Sequence, residues 1–220
     1  RRVLFRSREL DAKTVKTLSQ VYLVFIPPVA AFAVSAFGSF YIHSFIVGLI
    51  TMIASIASVL MILISEKPAK KLMWLVALGA SLGYFGGIYC QYQDLTKAEV
   101  MFSLLATVGV FAITSVVSLF TRRLFLLYGL SAMILGIVYI PLAIAMLFSG
   151  SAPLLALVTV LGAVITLIGL IIDTHKIVIQ IENGDTDPFS LASILVSDFY
   201  DLFIEVVHLV ANTKKSSKDD

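Results

Sequence analysis

Long apolar segments alternate with short polar breaks along nearly the whole chain. Each segment is about 20 residues long, the length that an α-helix needs to cross the hydrocarbon core of a bilayer. The predicted spans cover residues 18–37, 41–64, 72–89, 100–120, 124–148, 154–172 and 189–211. Because a helix satisfies its backbone hydrogen bonds internally, the pattern predicts an all-α membrane protein, a seven-transmembrane-helix bundle.

The short connections between these spans set the domain organisation. We divide the chain into a basic N-terminal segment (1–17), a seven-helix membrane domain (18–211) and a charged tail (212–220). The tail is expected to be mobile. The polar breaks leave no room for a separate soluble domain.

Glycine recurs at every fourth residue of the third span, at Gly79, Gly83 and Gly87. Such a ridge has no side chains, so it predicts that another helix approaches this one closely.

Composition supports the membrane assignment. The chain is 59% hydrophobic and 14% charged, whereas about a quarter of the residues in soluble domains are charged. The formal net charge of +2 is too small to suggest a nucleic-acid partner, so the lipid bilayer is the expected partner. Cys90 is the single cysteine, which excludes an internal disulfide.

The distribution of basic residues predicts the orientation. With seven crossings, twelve of the 16 Lys and Arg residues fall on the side of the N-terminus, which is therefore expected to be cytoplasmic. The opposite side holds Lys97, Lys214, Lys215 and Lys218. A basic tail would also fit a re-entrant last helix that returns to the cytoplasm. We favour a crossing, because the 23 residues of the last span suffice for it.

Acidic residues are concentrated near the end of the chain. Between residues 18 and 172 the acids occur only in polar breaks, whereas Asp198, Asp201 and Glu205 lie inside the last span. Steps of three and four residues place them on one side of a helix, together with His208. An ionised carboxylate near the middle of a bilayer costs at least about 2.5 kcal/mol, so it requires a partner, water or a proton.

Asp173 and Asp198 are the main candidates for a functional site. No Lys or Arg occurs inside a predicted span, so protons or cations are expected to neutralise the acids. If the two carboxyl groups meet, they would share a proton, and Ca²⁺ could compete for them transiently, with Asp201 and Glu205 as further oxygen ligands along an ion path. The plainer alternatives are an interfacial Asp173, a structural hydrogen bond at Asp198, or a last helix lying on the membrane surface.

Two motifs near the C-terminus carry a family resemblance. The segment IDTHKIVIQIENGDTD, followed by SDFYDLFIEVVHLV, resembles the signature of the Bax inhibitor-1 family, also called the transmembrane Bax inhibitor motif family. The matching elements are Asp173-Thr174, Gly184-Asp185-Thr186-Asp187, and Asp198 with Phe203.

The resemblance implies a helical bundle with the last helix at its centre. It also implies that Asp173 and Asp198 act as a pH-sensitive latch on a calcium leak, in an endoplasmic reticulum protein that suppresses cell death. The sequence departs from the family at Asp201, where Asn or a similar residue is common. Some members also place an Arg in the second helix, and no Arg occurs between Arg8 and Arg122 here, so gating by an Arg-Asp bridge is not expected.

Two classes of function follow. The protein is either a calcium leak channel or calcium/proton exchanger, or a membrane scaffold that binds cell-death regulators without transport of its own. Acids along a buried helix favour transport.

An enzyme is not expected, because His43, His175 and His208 form no catalytic set within the spans, and no cofactor is expected. The endoplasmic reticulum is the expected location, with the plasma membrane or another intracellular membrane as the alternative.

Overall fold

The computed structural model describes residues 12–42, 44–120, 125–149 and 152–219, and within these ranges it contains seven α-helices and no strand. The helices are α1 (Ala12–Gly38), α2 (Phe45–Ile64), α3 (Pro68–Tyr92), α4 (Lys97–Phe120), α5 (Phe125–Ser149), α6 (Ala152–Glu182) and α7 (Pro188–Asp219). The predicted all-α class is therefore confirmed. Of the described helices, α1 to α6 are long and apolar enough to cross a membrane, whereas the more polar α7 is not among them.

The sixth helix differs from the prediction, because α6 continues ten residues past 172 to Glu182. The extension stays amphipathic, with Ile177, Val178 and Ile181 buried on one side. After α6 ends at Glu182, the turn passes through Gly184, whose φ of +102° lies in the left-handed region that glycine adopts without strain. The polar connection to α7 is therefore only residues 183–187, and Asp173 lies inside a helix.

The last helix begins and ends with specific contacts. Asp187 caps its N-terminus, since Oδ1 accepts a hydrogen bond of 3.3 Å from the Phe189 amide. Residues 212–219, predicted as a mobile tail, continue the helix. Near that end, Asn212 Nδ2 donates to Thr159 Oγ1 of α6 at 2.9 Å, which ties the last turns of α7 to its neighbour.

The glycine ridge of α3 packs against α1, as the sequence predicts. A Cβ atom at Gly79, Gly83 or Gly87 would overlap the α1 backbone at Pro28, Phe32 and Ala36, respectively. The backbones of the two helices therefore touch directly along this ridge. The helix α1 continues through both of its internal prolines.

The described part of α7 packs against α1, α3, α4 and α6. Its buried side chains are Leu191, Ala192, Leu195, Val196, Phe199, Leu202, Phe203, Val207 and Ala211. Phe199 and Phe203 both meet the ring of Phe32 of α1 edge to face, with centroid distances of 5.3 and 5.2 Å. Such aromatic pairs add about 0.5–1.5 kcal/mol beyond their buried area, so they fix the position of α7 against α1.

Ion pairs hold the two ends of α7. At its start, Lys71 Nζ of α3 lies 2.5 Å from Asp187 Oδ2. Near its other end, Lys214 Nζ lies 2.9 Å from Glu99 Oε2, in the first turn of α4. The helices α3 and α4 begin at opposite ends of the bundle, so α7 extends from one end to the other.

Candidate functional site

Asp173 on α6 and Asp198 on α7 lie close enough for their charges to interact. A hydrogen bond between two carboxyl groups requires a proton on one of them, because an ionised carboxylate only accepts. Oδ2 of Asp198 is shielded from solvent and has no hydrogen-bond partner. Asp198 therefore places an unpaired, buried carboxyl oxygen at the side of α7 that faces α6.

A lysine also belongs to this site, which corrects the expectation that only protons or cations neutralise the acids. Lys176 Nζ donates to Asp173 Oδ1 at 2.6 Å. This contact arises because α6 continues past residue 172 and places Lys176 almost one helical turn beyond Asp173. The lysine side chain is 57% exposed, so the pair is a weak one of a few tenths of a kcal/mol. Among the described residues no Lys or Arg forms an ion pair with Asp198, and the charge of Lys176 acts on it only from a distance.

Asp201 and Glu205 continue the acidic side of α7, one and two turns beyond Asp198. Asp201 is exposed on the described surface, and its charge interacts with those of Asp198 and Glu205. Glu205 instead points toward α6 at Gly162, where an added Cβ atom would lie 2.9 Å from Oε1. The absence of a side chain at Gly162 leaves the space that this carboxylate occupies. Sequence reasoning missed Gly162, because its partner lies 43 residues away along the chain.

His208 links this acidic side to α3. Its Nδ1 lies 3.7 Å from Glu205 Oε2, and its Nε2 is hydrogen-bonded to the Tyr89 hydroxyl. The same hydroxyl accepts a hydrogen bond of 2.8 Å from Gln93 Nε2. Tyr89 does not stand out in the sequence as a site residue, since a tyrosine near the end of a span resembles an ordinary interfacial residue. The polar residues of α7 thus continue from the carboxyl pair into a network with α3.

His175 lies on α6, at its interface with α5. His175 is 2% exposed, and its ring stacks on Tyr128 of α5 at a centroid distance of 6.5 Å. His175 therefore packs between α5 and α6. His43 lies outside the described residues.

The Gly-Asp-Thr-Asp motif forms the turn from α6 to α7. The Asp185 amide donates to the Gln180 carbonyl at 3.0 Å, which closes the end of α6. Asp185 Oδ1 in turn accepts a hydrogen bond of 3.0 Å from the Asp187 amide. Asp187 also caps α7 and pairs with Lys71 of α3. The motif therefore fixes the turn that joins α6, which carries Asp173, to α7, which carries Asp198.

Within the described part of the chain, no group of three or more His, Cys, Asp or Glu side chains could hold a metal ion. The transient calcium contact predicted for Asp173 and Asp198 stays a prediction.

Six helices long and apolar enough to cross a membrane, within an all-helical described structure, define an integral membrane protein of the all-helical class. Four ionisable side chains lie along one side of α7: Asp198, Asp201, Glu205 and His208.

Comparison with known proteins identifies the family. The family model described as "Inhibitor of apoptosis-promoting Bax1" matches residues 14–215. A curated relative, "Bax inhibitor 1 homolog" of Dictyostelium discoideum, is 29% identical over 234 residues, covering 100% of this chain and 89% of the relative. The chain belongs to the Bax inhibitor family, and the resemblance read from its C-terminal motifs is confirmed.

Proposed function

We propose that this protein is a pH-sensitive calcium leak channel or calcium/proton exchanger in which Asp173 and Asp198 form a proton-linked latch. The observation that carries the proposal is the placement of two acids on neighbouring helices, Asp173 on α6 and Asp198 on α7, near enough for their charges to interact, with Oδ2 of Asp198 buried and unpaired. We propose that the protein transports calcium and does not catalyse a reaction.

The latch works through the charge of the pair. With one shared proton, the carboxyl groups attract each other through a hydrogen bond, whereas two ionised groups repel each other at short range. Lys176 offsets part of the charge of Asp173, so Asp198 is the group whose proton decides the interaction. A change of pH then changes how tightly α6 holds α7.

The ion path runs from this pair along α7. Asp201 and Glu205 provide carboxylate oxygens at successive turns, and such oxygens suit Ca²⁺ as transient ligands. Gly162 leaves room for the Glu205 carboxylate between α6 and α7. Ions would move along the face that these helices share.

This function requires α7 to cross the membrane at the centre of the bundle. Support comes from its contacts with α1, α3, α4 and α6, and from the ion pairs to Lys71 and Glu99 at its opposite ends. The residues between Asp187 and Lys214 extend over roughly 40 Å as a helix, close to the full thickness of a bilayer. We propose a cytoplasmic N-terminus, because most basic residues then lie on the cytoplasmic side.

The biological role follows from the family. The family model is described as an inhibitor of apoptosis-promoting Bax1 and the Dictyostelium relative is named a Bax inhibitor 1 homolog, so we propose that the protein suppresses cell death from the endoplasmic reticulum. In the alternative function, its loops and tail bind cell-death regulators and no ion passes through it.

The test is calcium flux into liposomes that contain the purified protein. Asp173→Asn and Asp198→Asn should each change the flux and flatten its dependence on pH between about pH 5 and 8, because neither variant retains a titrating pair. The double variant should add little to either single one, since all three remove the same interaction. Asp94→Asn is the matched control, because Asp94 is exposed and lies at the far end of α3.

The outcomes separate the two classes of function. Unchanged flux and pH response in both single variants would reject the latch, and absence of flux from the parent protein would favour the scaffold. Additive effects in the double variant would mean that the two carboxylates act separately.

A further inference from the structure

A chain of polar contacts connects α3 to the carboxylate of Glu205 on α7. Gln93, which directly follows α3, donates from Nε2 to the Tyr89 hydroxyl at 2.8 Å. The Tyr89 hydroxyl is in turn hydrogen-bonded to Nε2 of His208. On the other side of the imidazole ring, Nδ1 of His208 lies 3.7 Å from Oε2 of Glu205. The helix α3 therefore reaches this carboxylate through the ring of His208.

These contacts determine which nitrogen of His208 carries the proton. The Tyr89 hydroxyl accepts from Gln93, so its single proton is available for Nε2 of His208. When Nε2 of a neutral imidazole accepts, Nδ1 carries the proton, and this N–H faces the Glu205 carboxylate. The opposite tautomer would direct the lone pair of Nδ1 at a carboxylate, which is unfavourable because both groups only accept.

The Glu205 carboxylate is confined from two sides. On one side it lies against Gly162 of α6, where an added Cβ atom would be 2.9 Å from Oε1. On the other side lies the ring of His208, which packs edge to face on the ring of Tyr89 at a centroid distance of 5.2 Å. The Glu205 side chain is 17% exposed. The direction of this carboxylate is therefore set by the backbone of α6 and by a ring that α3 holds.

We propose that Tyr89 and His208 are positioning residues for calcium transport, which orient Glu205 so that Oε1 faces the surface shared by α6 and α7. This inference rests on the proposed function, because it assigns a role within that ion path. Neither residue contacts the ion, and both act through Glu205. Partners behind a metal-binding carboxylate raise its affinity for the metal, since the carboxylate is already oriented when the ion arrives.

The first test measures the tautomer of His208 and does not depend on transport. The full protein is labelled with ¹⁵N at histidine and studied by NMR at about pH 9, where imidazole is neutral. The signals of His208 are those that disappear in His208→Asn. We expect the proton on Nδ1 in the parent protein. Tyr89→Phe should give a mixture of both tautomers, because Nε2 loses its donor, whereas Tyr92→Phe, at a position that is 82% exposed, should leave the tautomer unchanged.

The second test measures calcium flux into liposomes over a range of calcium concentrations at constant pH. Tyr89→Phe and His208→Leu should each raise the calcium concentration at half-maximal flux about tenfold, with little change in the maximal rate. His208→Asn should restore part of this loss, because its amide nitrogen can donate to Glu205 in place of Nδ1. Tyr92→Phe should behave as the parent. All variants are compared after they elute as single species in size-exclusion chromatography.

A second background separates positioning from a general loss of structure. In Glu205→Gln, the further change Tyr89→Phe should add little, since Tyr89 acts through that carboxylate. Additive effects in this background, or a proton on Nε2 of His208 in the parent protein, would overturn the proposal. A single Nδ1–H tautomer and a Tyr89 effect that requires Glu205 would support it. Absence of calcium flux from the parent would reject the proposed function and any role in transport, and the tautomer would then decide separately whether α3 orients His208.

Discussion

Lys71 and Asp187 form an ion pair with 2.5 Å between Nζ and Oδ2, and this contact joins the first turn of α3 to the residue that caps α7. Both side chains are largely buried, with exposed fractions of 16% and 28%. The pair therefore fixes the position at which α7 enters the bundle. Removal of the lysine charge would leave a partly buried carboxylate without its cation.

Lys71→Met is therefore expected to destabilise the protein by about 1 kcal/mol. Lys70→Met is the matched control, because Lys70 is exposed and adjacent in the same helix. Thermal unfolding in detergent measures the difference. Equal transition temperatures for the two variants would mean that the ion pair contributes nothing to the position of α7.

The glycine ridge gives a second prediction. Gly83→Ala should strongly reduce the yield of folded protein, because its Cβ atom would overlap the backbone of α1 at Phe32 and force two helices apart. Gly109→Ala should have little effect, since no atom lies within 4 Å of the added Cβ there. The monodisperse fraction in size-exclusion chromatography distinguishes them. A normal yield for Gly83→Ala would contradict the close packing of α1 and α3.

The sequence predicted both ends of α1 to α5 to within about six residues, because spans of apolar residues are set by length and hydropathy alone. It placed the end of α7 at residue 211, whereas the helix continues to Asp219. It failed at the end of α6, where the charged residues Asp173 and Lys176 suggested a loop. Those side chains lie on the polar side of an amphipathic helix whose buried side holds Ile177 and Val178. The mean hydropathy falls where these charged residues occur, although apolar residues continue to recur at helical spacing.

The candidate site was predictable only in part. Asp173 and Asp198 could be found because acids in or beside apolar spans are unusual and because they match family motifs. Tyr89 and Gly162 could not, since neither residue type is unusual in a membrane helix. Tyr89 meets His208 only because α3 turns this side chain toward α7. Gly162 meets Glu205 only because α6 turns this position toward α7, and the sequence does not show either rotation.

The contact between Tyr89 and His208 gives a third prediction. Tyr89→Phe should destabilise the protein by about 1 kcal/mol, because His208 loses a hydrogen-bond partner in the interface of α3 and α7. Tyr92→Phe serves as the control, as Tyr92 is 82% exposed. Chemical denaturation followed by fluorescence would measure both. A larger effect at Tyr92 would argue against the network between His208 and α3.

Gly162 offers a test of the ion path that leaves every carboxylate in place. Gly162→Ala should displace the Glu205 carboxylate, since the new Cβ would lie 2.9 Å from Oε1, and a flexible side chain can move at little cost in stability. We expect calcium flux in liposomes to change while the unfolding temperature stays nearly constant. Gly169→Ala, in the same helix but with no atom within 4 Å of its added Cβ, should behave as the parent. Parent-like flux in both variants would remove Glu205 from the proposed path.

The crossing of α7 can be tested with single cysteines, because the native Cys90 is buried and can be replaced by Ser. Asp185→Cys lies in the turn before α7, and Thr213→Cys lies near its other end at an exposed position. If α7 crosses, a membrane-impermeant maleimide added outside sealed vesicles of uniform orientation should label only one of the two.

Two reference positions make the cysteine test independent of the orientation of the vesicles. Glu66→Cys, in the connection before α3, should be labelled together with Asp185→Cys, because Lys71 and Asp187 join these two connections at one end of the bundle. Lys97→Cys should be labelled together with Thr213→Cys, since Lys214 and Glu99 meet at the other end. Labelling of Asp185→Cys and Thr213→Cys from the same side would instead require an α7 that is re-entrant or lies on the membrane surface. It would then exclude a path along this helix from one side of the membrane to the other.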